Sequence, residues 1–259
     1  MSLHQRFGRY AFDDGTVAYA RVAGDRLVLL TAAPWLGGQE SGRQEPLSGA
    51  RPVCPVAPRK ILCIGRNYQA HAKEMGADVP KLPLLFLKAP SSLLDPGGVV
   101  LLPPESERVE HEAELGVVIG RGGRRIPLAS AMDHVFGYTA VGDITARDLQ
   151  KSDGQWSRAK GFDTFCPVGP EVVTGLDPNN LRVRGRVNGV VRQDGTTADM
   201  IFPVAQLVSH LSQAMTLEAG DLIATGTPEG VGPLVHGDTL EVDVEGVGVL
   251  QVSIRREAT

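Results

Sequence analysis

The chain has 259 residues, 42% hydrophobic and 22% charged, so it can bury a sizeable core in one large domain or one large plus one small. Twenty-six Lys and Arg against thirty Asp and Glu give a formal charge of −4, which argues against a nucleic-acid binder and its usual basic excess. No apolar run approaches the ~20 residues of a membrane span, residues 1–15 are polar without a signal-peptide core, and Cys54, Cys63 and Cys166 form no C-x-x-C pair, so the expectation is a reducing cytoplasm without disulfides or a Cys-rich zinc site.

In chain order, residues 6–11, 16–23 and 26–30 read as short strands, separated by the turn-forming Asp13-Asp14-Gly15 and Ala23-Gly24-Asp25. Residues 37–58, rich in Gly, Pro, Ser and charge, read as a linker. That divides the chain into a small β module with its linker at residues 1–55 and a main domain at residues 56–259. The main domain opens on a buried-strand pattern at 60–64, then Gly65-Arg66-Asn67-Tyr68 and a short helix over 68–75. Residues 84–87 and 99–102 read as strands, and residues 110–119 as a longer one. Asn188-Gly189 between residues 182–187 and 190–193 signals a hairpin with a type I′ turn. Val204, Leu207, Val208 and Leu211 fall at i, i+3, i+4 and i+7, so the spacing predicts an amphipathic helix over 203–215. Leu240, Val242 and Val244, then residues 249–254, alternate around Glu245-Gly246 as a closing hairpin. Few helices and many short strands imply a β-rich α+β fold rather than a doubly wound sheet.

The stretch at 110–119 is chemically the most informative. At period two, Leu115, Val117 and Ile119 share one face, and Glu112, Glu114, Gly116 and Val118 the other. Two carboxylates on one face, ~7 Å apart at the backbone, repel if buried unless a cation lies between them. Such oxygen ligands suit Mg²⁺, Mn²⁺ or Ca²⁺. Spacing alone equally allows a solvated strand with acids on its wet face. Farther on, Asp143 can end a strand and point into a site or make an Asx turn, while Thr145 and Asp148 fit an N-cap box. His71 and Glu74 lie on one helical face at i, i+3, as a base held by a carboxylate or as an ordinary surface contact. Lys160 by itself reads as a surface lysine. Gly226-Thr227-Pro228-Glu229-Gly230 lacks the Gly-Lys-Ser/Thr of a nucleotide loop and is either a plain turn or a set of backbone N–H groups facing an anionic substrate.

Together these stretches resemble the fumarylacetoacetate hydrolase family. The matching segments run in family order: Gly65-Arg66-Asn67-Tyr68 with His71 and Glu74, Phe86-Leu87-Lys88, residues 111–116 (HEAELG), residues 143–150 (DITARDLQ), residues 160–164 (KGFDT), Val187-Asn188-Gly189, Gly220-Asp221 and residues 226–232 (GTPEGVG). The resemblance covers residues 59–255, and the N-terminal module resembles the small β domain that precedes many bacterial catalytic domains. It implies a mixed β-sandwich roll, a homodimer, and Glu112, Glu114 and Asp143 as carboxylates for Mg²⁺, or for Mn²⁺ or Ca²⁺. It implies His71 and Glu74 as the water-activating dyad. Lys160, Gln150 and Thr227 match positions that approach the substrate's oxygens, and Arg66 joins them on the substrate side. The longer fumarylacetoacetases carry a further aspartate upstream of the histidine, where Asn67-Tyr68 supplies no acid, so the chain resembles the shorter bacterial, acylpyruvase-type branch.

The activity so implied is C–C hydrolysis of a 2,4-dioxo acid of the acylpyruvate or fumarylpyruvate type through a metal-stabilised enolate. The same site could instead serve a 2-hydroxyhepta-2,4-diene-1,7-dioate isomerase or an oxaloacetate-type decarboxylase, and a non-catalytic β-rich binding module is the more distant alternative. Residues 68–81, charged and small with Pro80 and Pro83 near their end, read as a lid that brings His71 and Glu74 to the metal.

Overall fold

In the computed structural model, residues 4–258 are described; the first three residues of the polar start and the last of the main domain lie outside them. Gly and Pro interrupt most apolar runs, and the described residues accordingly form twenty short strands and only four α-helices. Ten strands run in order across a large mixed sheet: Glu40–Pro46, Arg26–Leu30, Val17–Ala23, Arg6–Phe12, Cys166–Val173, Val135–Gly142, Ala113–Ile119, Leu222–Ala224, Ile61–Gly65 and Leu84–Lys88. Ala50–Val53 and Leu93–Leu94 pair off this path. A five-stranded sheet follows the order Val190–Thr196, Arg182–Val187, Thr239–Val244, Gly248–Arg256 and Val99–Leu102. A third, small sheet joins Thr145–Ala146, Val109–His111 and Gly232–Pro233.

The strand Ala113–Ile119 is buried along its whole length because both faces of the large sheet are covered. Leu115, Val117 and Ile119 share one core with Val183, Leu240, Val242 and Ile254 of the five-stranded sheet. The helix Val204–Ala214 adds Leu207, Val208 and Leu211 to it, as the 203–215 periodicity predicts. On the other face, Val118 packs with Val141, Val168, Leu222 and Cys63. The fold is the β-rich α+β roll expected from the sequence. Asn188 and Gly189 both take positive φ, 53° and 75°, as the type I′ turn requires.

Three expectations are corrected. Residues 37–58 are not a plain linker, since Glu40–Pro46 pairs with Arg26–Leu30 and Ala50–Val53 with Arg6–Phe12. The first is an edge strand with almost every residue exposed, so it carries no apolar alternation to betray it. The N-terminal strands are continuous with the large sheet through Arg6–Phe12, which pairs with Cys166–Val173. Second, residues 110–119 form two strands, Val109–His111 and Ala113–Ile119, which belong to different sheets and break at Glu112. Third, Thr145 and Asp148 form no N-cap box. The helix Arg147–Asp153 starts after Ala146 without a side-chain cap, Thr145 donates to the Asp143 carbonyl, and Asp148 accepts from Ser106 Oγ and the Glu107 amide of the preceding loop.

Candidate active site

The acids converge where two neighbouring strands break together. Val135–Gly142 ends just before Asp143, and the Asp143 amide donates to the Glu112 carbonyl at 2.9 Å, so both breaks lie at one level of the sheet. Glu112, Glu114 and Asp143 are each 4% exposed or less, and a carboxylate oxygen from each lies within 4.8 Å of the others. Burial removes the reading of a wet strand face. Lys160 is buried as well, with Nζ 2.8 Å from Glu112 Oε2 and 2.6 Å from Asp143 Oδ2. It is no surface lysine.

Two side chains that carried no role in the sequence complete this charge cluster. Lys88 Nζ donates to Asp143 Oδ1 at 2.6 Å and to the Ile144 carbonyl at 3.2 Å. Arg147 donates to Glu112 Oε1, Glu110 Oε2 and Gln150 Oε1, each at 2.7 Å. Glu114 is left without a cation among the described residues; it accepts the Gly226 amide at 2.9 Å. The two glutamates therefore differ. Burial would raise the Glu112 carboxyl, but Lys160 and Arg147 hold it well below the usual carboxylate range. Burial, reinforced by Asp143 and Glu112, pushes the Glu114 carboxyl well above it. For Lys160, burial works against the charge, yet Asp143 and Glu112 raise its ammonium above the ordinary value. Three clustered carboxylate oxygens with an uncompensated member are what a hard divalent cation fits, and Glu112, Glu114 and Asp143 are the residues that could hold it.

His71 and Glu74 come from the helix Gln69–Glu74, which follows the strand Ile61–Gly65, next to the edge of the large sheet. His71 is 4% exposed, and its Nδ1 lies 3.1 Å from Oε2 of Glu74, which stands exposed at the surface, so the imidazole is buried while its carboxylate partner is not. Glu74 Oε1 also accepts the Gly230 amide at 3.0 Å. The glycine-rich 226–230 segment thus spends two amides on the chain's own Glu114 and Glu74, not on an external anion. Gly226 has φ 99°, and a Cβ there would stand 2.7 Å from that of Asn67, so the close approach requires glycine. Asn67 is fully buried and fixes the turn by donating to the Phe202 and Thr225 carbonyls and accepting the Phe202 amide.

One cavity of about 240 Å³ brings His71, Glu112, Glu114, Lys160, Gln150, Thr227 and Arg66 together, with Arg147, Trp156 and Met75 also in its wall. Asp143 lies behind Lys160 in the charge cluster, and Glu74 behind His71. Thr227 is already engaged, since its hydroxyl donates to the Ala113 carbonyl at 2.8 Å and accepts from Gln193 Nε2 at 2.7 Å. Gln193, another residue without a role in the sequence reading, also accepts the Ala113 amide and so ties this strand to the hairpin. A signal for Glu110 did exist, because period two places it in line with Glu112 and Glu114. Periodicity gave none for Lys88, Arg147 and Gln193, whose partners, Gln150 apart, lie 34 to 82 residues away.

Comparison with known proteins bears on this arrangement. The family described as fumarylacetoacetate (FAA) hydrolase C-terminal matches residues 60–255, and the one described as Rv2993c-like, N-terminal matches residues 5–55. Protein Rv2993c of Mycobacterium tuberculosis is 43% identical, over 97% of this chain and 98% of its own. The oxaloacetate tautomerase YisK of Bacillus subtilis is 46% identical over 77% of this chain and 71% of its own. Among solved structures, the 2-hydroxyhepta-2,4-diene-1,7-dioate isomerase from Mycobacterium marinum superposes with a TM-score of 0.91 at 41% identity, covering 98% of this chain and 100% of that one.

Proposed function

The chain belongs to the fumarylacetoacetate hydrolase family, and we propose that it is an enzyme that moves a proton at the carbon beside the oxo group of a small 2-oxo acid. The observation that carries this reading is that His71, backed by Glu74, lines the same cavity as Glu112, Glu114 and Lys160. A divalent cation held by Glu112, Glu114 and Asp143 would supply Lewis-acid charge to the acid's oxygens and lower the cost of the enolate. Lys160 adds fixed positive charge to the same wall, because two of its three N–H donors are spent on Glu112 and Asp143 and its charge persists despite burial. His71 takes the proton from C3 of the substrate and returns it at oxygen or at another carbon, and Glu74 holds the imidazole for both steps. Gln150 is oriented by Arg147 through its Oε1, which leaves its amide N–H groups for substrate oxygens.

The family resemblance with its intact dyad ranks C–C hydrolysis of a 2,4-dioxo acid first. Relatives described as an isomerase and an oxaloacetate tautomerase favour proton movement. Hydrolysis remains the second reading because the dyad suits it equally: His71 would take its proton from water instead of carbon. Solvent-deuterium exchange at C3 of oxaloacetate and cleavage of an acylpyruvate, both with added Mg²⁺, separate the two. His71→Ala should slow exchange by about a hundredfold or more, the scale of a lost general base. Exchange that survives in this variant while cleavage collapses would favour the hydrolase. The homodimer belongs to the same proposal, and a clean monomer in light scattering at micromolar concentration would count against it.

A further inference from the structure

The edge strand Val190–Thr196 carries a fully buried polar side chain, Gln193, between the exposed Arg192 and Asp194. A register shift turns it inward. Gly185 pairs with Gln193 and Arg186 with Val191, which makes Arg192 the extra residue of a β-bulge. A side chain at Gly185 would stand 2.8 Å from Gln193 Oε1, so the facing strand leaves the carboxamide its room. Nε2 donates to the Thr227 hydroxyl at 2.7 Å and to the Pro228 carbonyl at 2.8 Å. Oε1 accepts the Ala113 amide at 2.9 Å and lies 3.1 Å from His111 Nδ1. We infer that Gln193 is a positioning residue for the cation: through Ala113 it fixes the spacing of Glu112 and Glu114 and fits the acids to an ion of Mg²⁺ size rather than to Ca²⁺. This rests on the reading of Glu112, Glu114 and Asp143 as cation ligands.

Ala113 is the residue between the two glutamates, and both of its backbone polar groups are held. Its N–H meets Gln193 Oε1, while its C=O accepts the Thr227 hydroxyl at 2.8 Å, and that hydroxyl accepts from Gln193 Nε2. The three residues close a ring. The ring stands where the ladder to Leu222–Ala224 has run out, since that pairing spans only Gly116 to Val118. Glu112 itself lies in neither strand, so the ring is what carries order across the break. No proton in it has a choice. The Pro228 carbonyl demands a donor and the Ala113 N–H an acceptor, which sets the carboxamide one way round and leaves the Thr227 hydroxyl proton for the Ala113 carbonyl. Gln193, Ala113 and Thr227 are all buried, where such linked bonds strengthen one another. Mg²⁺ demands near-ideal octahedral geometry at ~2.1 Å, whereas Ca²⁺ accepts longer and more adaptable contacts. Fixed spacing between two ligands therefore matters more to the smaller ion.

The test is calorimetry of Mg²⁺ and of Ca²⁺ on the cation-free full chain without substrate. Gln193→Leu, which removes all four bonds, should weaken Mg²⁺ by about tenfold or more, the scale of losing a group that orients a metal ligand. Ca²⁺ should weaken by no more than about threefold, so the ratio of the two affinities moves. Thr227→Val cuts only the limb to the Ala113 carbonyl and should shift the same ratio by a smaller factor. Thr227→Ser keeps the hydroxyl and should bind both ions within about twofold of the wild type. Should Gln193→Leu fail to fold, Thr227→Val against Thr227→Ser carries the test. Equal weakening of both ions in the Leu and Val variants reduces Gln193 to a structural residue and overturns the inference, as do variants that bind both ions like a wild type that binds them. In those cases the cation reading stands. A wild type that binds neither ion overturns the cation reading, and the role of Gln193 with it.

Discussion

Two clusters of acids and bases in this molecule look alike by composition and differ in everything else. On the five-stranded sheet, Arg182, Arg184 and Arg186 meet Asp194, Glu241 and Asp243, with Arg182 and Asp194 both well exposed. In the interior, Glu110, Glu112, Glu114 and Asp143 meet Lys88, Lys160 and Arg147, Arg108 reaches Glu110 from the surface, and Glu114 is in no ion pair among the described residues. The outer cluster is balanced, pairs every carboxylate and is well exposed at Arg182 and Asp194, so that pair contributes little. The inner cluster is desolvated apart from Arg108 and still leaves one buried carboxylate without a cation in contact. A buried carboxylate with no cation of its own, rather than the presence of charged residues, is what singles out a site.

The comparison can be broken most decisively at Glu114. Glu114→Gln should lower turnover by about a thousandfold or more, since several kcal/mol of Lewis-acid stabilisation go with the cation. Because the native carboxyl is raised by burial and by two neighbouring carboxylates, its ionised form opposes folding, so the same change should leave cation-free thermal stability equal or higher. A large fall in melting temperature would show that Glu114 is a structural acid that the fold itself requires. Asp143→Ala should do the opposite to stability. It strands Lys88 and Lys160 in the core and should cost about 3–5 kcal/mol in denaturant unfolding. Adding Mg²⁺ or Mn²⁺ should raise the wild-type melting point, by about 2.7 kcal/mol of stability at a hundredfold excess over Kd, and should leave Glu114→Gln unmoved. The smallest effect belongs to the outer cluster, where Arg182→Ala should change stability by less than about 1 kcal/mol and leave turnover unchanged.

How much of this could be read from the residues depended on the range of the interactions. Glu112 and Glu114 were legible because period two is a local rule, and the helix at 204–214 and the Asn188-Gly189 hairpin were legible for the same reason. The strand Cys166–Val173 was hidden although it is central, because Pro167, Gly169 and Pro170 read as loop chemistry. Glu40–Pro46 was hidden because an exposed edge has no apolar face. The buried lysines show the limit most sharply. Nothing in the neighbours of Lys88 or Lys160 announces burial, and Asp143, which brings each one in, lies 55 and 17 residues away. The break at Glu112 was also invisible, since a strand that changes sheets keeps its alternation.

The helix Gln69–Glu74 has only six residues and no side-chain cap, too few to persist alone in water. It is held by the Tyr68 bridge to Met200, by the buried Ala72 and by the single Glu74–Gly230 bond. The acids, in contrast, sit on, or directly beside the ends of, strands paired on both sides. Amide protons should report the difference as two separate clocks, with those of Ala72 and Gly230 exchanging through local opening and those of Leu115 and Val117 only when the whole sheet comes apart. On the reading proposed above, the helix that carries His71 would then swing clear to admit or release a molecule while the anchoring end of the cavity keeps its shape, as a door moves on a frame that does not.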